Sequence, residues 1–159
     1  MREMRLAGGP ISSSRIRRLI GHGQLAVARR LLGRTPALYG VVVRGAGRGH
    51  HLGFPTANIQ LSSHVLPPRG VYAVAVRSMH HQRAWRGVMN LGVRPTFGPG
   101  PVVCEVHLLG FSGSLLGRSV AVSLLARLRS ERCFPTPQAL SRQVHQDLIR
   151  ARRLFSKSS

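Results

Sequence analysis

At 159 residues with 43% hydrophobic content, the chain suffices for one well-buried domain plus a small appendage and is too short for two full domains. Its 24 Lys+Arg against 4 Asp+Glu give a net charge of +20, a field suited to nucleic acid, acidic membrane surfaces or phosphorylated small molecules, without choosing among them. No apolar run approaches the roughly 18 residues of a membrane span, and Cys104 and Cys133, far apart and without a CxxC pair, read as reduced thiols, not a metal site.

The Arg- and Ser-rich beginning, MREMRLAGGPISSSRIRR, resembles a transit peptide in composition, but no secretory n-region, h-region and cleavage site can be laid out there. Helical periodicity runs from Ser12 to Arg34. In SSSRIRRLI the hydroxyl residues suit an N-cap, and Ile16, Leu19 and Ile20 recur at three-to-four spacing before Gly21 and Gly23 interrupt. A second short helix over 24–32 gathers Leu25, Ala28, Leu31 and Leu32 on one side and stops at Gly33. Pro36 opens a different kind of sequence. Between Tyr39 and about Ala126, short β-branched runs alternate with Gly/Pro turns: YGVVVR, GVYAVAVR, AWRGVMNLG, PVVCEVHLL and GRSVAVSLL. Five such strands with no helical period between them predict an antiparallel barrel or sandwich. The end reverts to helix: Thr136 caps, Pro137 takes the first helical position, and Leu140, Val144, Leu148, Ala151 and Phe155 form one apolar stripe.

Only four carboxylates exist, Glu3, Glu105, Glu131 and Asp147, so a general base other than His comes from a very short list. In VVCEVHLL, strand alternation puts Val103, Glu105 and His107 on one face, away from Cys104 and Val106. Glu105 there reads either as a catalytic carboxylate or as a surface Glu paired with one of the many arginines. The stretch LGFPTANI reads first as a turn, yet Thr56 and Asn58 offer neutral oxygens two residues apart, a set that suits Mg2+ beside a phosphate. Before it, VRGAGRGHHLG has the backbone freedom to wrap phosphates, although it matches neither a Walker loop nor a dinucleotide fingerprint. His50 and His51, being adjacent, point apart and read as part of an exposed basic loop.

In combination the segments GVVVRGAGRGHHLGFPTAN, PPRGVYAVAV, GVMNLGVRPTFG, EVHLLGF and LRSERCF, followed by a helix, resemble the riboflavin kinase family, in particular the kinase module of bacterial bifunctional riboflavin kinase/FAD synthetases. The resemblance covers Tyr39 to about Phe155. ISSSRIRRLIGHGQLAVARRLLGR resembles the end of the adenylyltransferase module of the same enzymes, which implies a remnant and linker over 1–35 and a kinase domain over 36–159.

The resemblance implies a mainly β fold, a six-stranded antiparallel Greek-key barrel with a C-terminal helix and short N-terminal helices. It implies ATP and riboflavin as substrates, FMN as product, and Mg2+ as the required ion. Thr56 and Asn58 match the metal-binding pair, and Glu105 matches the base that deprotonates the ribityl 5′-hydroxyl. Gly45, Gly47, Arg48, Gly49, His51 and Gly53 match the loop over the ATP phosphates. Pro55, Thr56, Asn58 and His107 complete the implied ATP site, while Arg129, Glu131 and Phe134 match the flavin side. After EVH the family usually shows an acidic, Tyr-containing stretch, where this chain has GFSGSLLG; that departure predicts slower turnover. FAD synthesis is not expected of this chain alone; a separate adenylyltransferase protein is a candidate partner. A cytoplasmic location is expected, with no membrane and no specific nucleic acid as partner. Two rival readings stand beside the kinase: a basic nucleic-acid-binding protein, and a catalytically weak remnant that still binds flavin.

Overall fold

The computed structural model describes residues 5–6, 9–10, 12–45, 53–93 and 100–158. β1 (Arg5–Leu6) and β2 (Gly9–Pro10) form a short antiparallel ladder. α1 (Ser13–Gly21) begins where the Ser12 hydroxyl accepts the Arg15 N–H at 3.2 Å. α2 (Leu25–Leu32) ends at Gly33, whose φ of 71° lies in the left-handed region that favours glycine.

Six strands then close into one antiparallel barrel: β3 (Ala37–Val43), β4 (Ala57–Leu61), β5 (Gly70–Ser78), β6 (Ala84–Val93), β7 (Val102–Leu108) and β8 (Ser119–Ser130). Around the barrel the order is β3-β4-β7-β6-β5-β8, with β8 returning to β3. Closure removes every free sheet edge and decides for the barrel over the sandwich. Five of these strands are the five runs read from the sequence, and β4 is the one that this reading places within a turn. It follows directly on the Gly53–Pro55 turn and alternates Ala57, Ile59 and Leu61 toward the core with Asn58 and Gln60 outward, a short strand signal masked by the turn residues before it. The turn reading of LGFPTANI therefore holds only up to Thr56; from Ala57 the segment is a strand paired on both sides.

The interior is filled by alternate residues of all six strands, with Leu38, Ile59, Val74, Met89, Val106 and Val122 among those almost fully buried. Leu25 of α2 joins this cluster, so the second helix contributes to the barrel core. Tyr72 is wholly buried, and its hydroxyl donates to the Pro68 carbonyl.

α3 (Pro137–Lys157) is capped as its sequence predicts: the Thr136 hydroxyl accepts the Ala139 N–H at 3.1 Å. It packs Leu148, Ala151 and Phe155 on Val71, Ala73, Val88 and Leu128 outside the barrel. β5 is consequently buried on both faces over most of its length, which is why GVYAVAV is an unbroken apolar run. Truncating a buried Phe typically costs about 3–5 kcal/mol, so Phe155 fastens the helix to the barrel.

Candidate active site

Alternation along β7 sends Cys104 and Val106 inward and leaves Glu105 and His107 outside the barrel. Register supplies the neighbours of Glu105: Asn58 of β4 pairs with it on one side and Asn90 of β6 on the other. Asn90 pairs in turn with Val71, and Val71 with Arg129 of β8. One row of residues around the barrel thus carries Asn58, Glu105, Asn90, Val71 and Arg129. Directly facing residues have Cβ atoms about 5 Å apart, so Asn58 and Glu105 work on the same small volume.

Two cavities meet at this row. One, of ≈ 310 Å³, lies between the end of β3 with the turn before β4 and the β7–β8 loop; Arg44, Gly45, Pro55 and Asn58 line one wall, Phe111 and Gly113 the other. The second, of ≈ 250 Å³, lies between barrel and α3, where Phe54, Val88, Phe134, Leu140, Val144 and Leu148 give it apolar walls of the kind a flat ring system fills. Glu105, Glu131 and Asp147, three of the chain's four carboxylates, line this second cavity. Thr56 borders both.

The Asn58 side chain explains the glycine before it. A Cβ at Gly45 would overlap the Asn58 carboxamide, so only glycine admits that side chain. Asn58 Oδ1 is buried and has no hydrogen-bond partner. A buried acceptor left unpaired is costly, and its usual explanation is an ion, water or ligand group that completes it. An oxygen donor beside Thr56, one strand from a carboxylate, fits a hard divalent cation. Among the described residues no group of three or more His, Cys, Asp or Glu is gathered as an alternative metal site.

Two further contacts hold the turn. Pro55's carbonyl can only accept, so His107 Nδ1–H is the donor in their 2.9 Å bond. Phe54 sets its ring edge-to-face against His107, with centroids 5.8 Å apart, and against His145 of α3 at 4.9 Å. His107, expected with ATP, lines the cavity beside α3 and braces the turn.

On the far side Arg129 is held rigidly. Its Nη2 lies 2.9 Å from Asp147 Oδ2 and its Nε 3.1 and 3.0 Å from the two carboxylate oxygens; Gln143 Nε2 donates to Oδ1 at 3.1 Å. The guanidinium sits 5.6 Å over the centroid of Phe134. Glu131 accepts the Val93 N–H at 3.3 Å and rests where a Cβ on Gly92 would collide with its carboxylate.

Thr56, Asn58, Glu105, Pro55, Gly45, His107, Arg129, Glu131 and Phe134 thus line one or other of two adjoining cavities. Gly53 lies at the turn with φ 79° and lines neither. Gly47, Arg48, Gly49, His50 and His51 lie outside the described residues. Sequence reasoning missed Phe54, Asn90 and the partner of Asp147. Asn90 carried a signal, a lone amide on the outward face of an apolar strand. So did Asp147, a carboxylate beside the Val144–Leu148 stripe that needed a cation.

Comparison with known proteins fits this geometry. The family model for flavokinase, riboflavin kinase, matches residues 32–155. Bifunctional riboflavin kinase/FMN adenylyltransferases are similar: that of Pseudomonas fluorescens is 39% identical over 155 residues (97% of this chain, 49% of the relative), and that of Haemophilus influenzae 38% over 146 residues (92% and 47%). The chain therefore spans about half the length of the curated relatives it matches. A solved structure described as a macrolide-efflux protein from Streptococcus pneumoniae superposes with a TM-score of 0.84 at 32% identity, covering 94% of this chain and 49% of that one. Riboflavin kinase from Trypanosoma brucei shares the fold, with a TM-score of 0.54 at 24% identity over 76% of this chain and 77% of that one.

Proposed function

The chain belongs to the riboflavin kinase family, and on that premise we propose that it transfers the γ-phosphate of ATP to the 5′-hydroxyl of riboflavin, releasing ADP and FMN. The observation that carries the reading is the pairing of Asn58 with Glu105 where two cavities adjoin at Thr56. ATP occupies the cavity beside Gly45, and the isoalloxazine ring occupies the apolar cavity under α3, where Arg129, Glu131 and Phe134 orient it. The ribityl chain then runs along the row toward Glu105.

Glu105 accepts the proton of the 5′-hydroxyl as that oxygen bonds to the γ-phosphorus, and the bond to the ADP oxygen breaks on the opposite side. Thr56 and Asn58 would hold Mg2+, which would supply neutralisation of the phosphate charge. Phe54 and His107 fix the turn that presents these two residues, and the walls of α3 exclude water from the ring site. The relatives' second activity, FMN adenylyltransferase, is not proposed for residues 32–155; another segment or a separate protein would carry it. No helix among the described residues is long and apolar enough to cross a membrane.

The test is FMN formation from riboflavin, ATP and Mg2+ by purified protein, followed chromatographically. Glu105→Gln should lower turnover about 10²-fold or more with its melting temperature retained, as expected for loss of a general base. Folded parent protein that binds riboflavin but forms no FMN would favour the flavin-binding remnant.

A further inference from the structure

A groove of ≈ 990 Å³ on the barrel's outer wall shares no lining residue with either cavity of the active site. Its shape follows from register. Tyr39 of β3 and Arg77 of β5 both pair with Ala121 of β8, so the three stand in one row; beside it Ala37 and Ala75 pair with Ser123. Strand spacing puts the Tyr39 and Arg77 backbones about 10 Å apart. Between them Ala121 and Ser123 are too small to fill the gap. The result is a trough walled by an aromatic ring, 41% exposed, on one side and an exposed guanidinium on the other. Arg34, from the segment before β3, and His80, His81 and Gln82, from the β5–β6 turn, add polar groups to the lining, and the exposed Met79 adds one apolar side chain.

Among the described residues no carboxylate lines this groove, and Glu105, Glu131 and Asp147 line the cavity beside α3 instead. Arg129–Asp147 is the single ion pair among the described residues, so the charges of Arg34 and Arg77 meet no carboxylate there. An aromatic platform in a basic trough is the arrangement that takes a base on the ring and its phosphates on the arginines. At ≈ 990 Å³, against ≈ 310 and ≈ 250 Å³ for the substrate cavities, it has room for more than one nucleotide unit. A trough floored by Ala121 and Ser123 admits a flat base onto the Tyr39 ring, which a lipid headgroup attracted by charge alone would not use.

We propose that this groove binds single-stranded nucleic acid, with a base stacked on Tyr39 and backbone phosphates held by Arg34 and Arg77. The test is fluorescence anisotropy of a labelled single-stranded RNA of about 10 nucleotides at about 200 mM salt, where purely diffuse attraction to a basic protein is largely lost. Tyr39→Ala should weaken binding about 5- to 150-fold, the range for one lost base–aromatic stack, while Tyr39→Phe binds like the parent. Arg34→Gln with Arg77→Gln should flatten the slope of log K against log salt by about 1.4, or about 0.7 for each lost phosphate contact. Melting temperatures monitor folding in each variant, and FMN formation should be unchanged.

Equal binding by the parent and Tyr39→Ala overturns the proposal, as does absence of binding by the parent at this salt. A salt slope flattened equally by Arg152→Gln with Arg153→Gln on α3 would assign the attraction to net charge and overturn it too. Anionic vesicles that bind with the same dependence on Tyr39 and Arg77, in place of RNA, would reassign the groove to a lipid surface.

Discussion

The carboxamide of Asn58 occupies the space that any side chain at Gly45 would need, so a loop glycine and a strand amide on opposite strands form one unit. Gly45→Ala must push Asn58 away from the cavity it lines. We expect a Mg2+ requirement raised by about 10-fold or more, the usual consequence of disturbing a residue that orients a metal ligand, with a smaller effect on melting temperature. A Mg2+ titration of FMN formation identical to the parent's would remove this link between the glycine and the cation.

Asn58→Ala makes a sharper prediction because the parent carries a buried oxygen without a partner. Removing it relieves a cost of about 1–3 kcal/mol in the metal-free protein while deleting the proposed Mg2+ ligand. Metal-free Asn58→Ala should therefore melt no lower than the parent, and added Mg2+ with ATP should stabilise it less than it does the parent. Thr56→Ala should show the weaker response to Mg2+ without the gain in metal-free stability. Equal stabilisation of all three proteins by Mg2+ and ATP would return PTAN to a purely structural role.

Much of this fold was legible because apolar periodicity is a local property. Five strands, both capped helices and the outward direction of Glu105 follow from alternation and turn chemistry. β4 is overlooked although Ala57, Ile59 and Leu61 alternate with Asn58 and Gln60, because the strand is only five residues long and follows Gly53 and Pro55, whose turn chemistry dominates the reading. The identity of Glu105's neighbours was equally hidden. Register between β4, β6 and β7 is set by barrel closure, a property of the whole chain, and only closure puts Asn58 and Asn90 beside it. Tyr39 and Arg77 are joined in the same way, through a strand more than forty residues distant from either.

The buried pair of Arg129 and Asp147, with side chains 10% and 2% exposed, ties β8 to α3 across the wall of the ring cavity. Asp147→Asn keeps the shape but leaves a desolvated guanidinium without its counter-charge, a change that typically costs about 3–5 kcal/mol. Replacing both partners, as in Arg129→Met with Asp147→Leu, should recover most of the stability lost in the single variant. It should not recover riboflavin affinity, because Arg129 also faces Phe134 in the proposed ring site. Denaturant melts and riboflavin titrations of the parent and the two variants check both statements; a double variant that binds riboflavin normally would make the pair a fastener only.

The two cysteines should separate cleanly by reactivity and by pH. Cys133 is exposed, whereas Cys104 is buried in the barrel core, and burial followed by the negative charge of Glu105 pushes its thiol up to about 12 from an ordinary 9.0. Native protein should show one fast thiol toward a disulfide reagent near neutral pH, and unfolded protein two. The same shift sets a direction for stability. Between the unfolded value near 9 and the folded value near 12, the unfolded thiol ionises while the native one stays protonated, so the native state holds the extra proton and loses stability as pH rises. Tyr72, raised mainly by burial against the opposing pull of Arg127, adds to the loss in the same direction. Cys104→Val keeps the core apolar and deletes one of these protons. Its melting temperature should fall less than the parent's when pH is raised from about 8 to about 10, a window spanning the unfolded thiol's titration. Parallel falls in the two proteins would mean that Cys104 ionises in place and that the core around it admits charge.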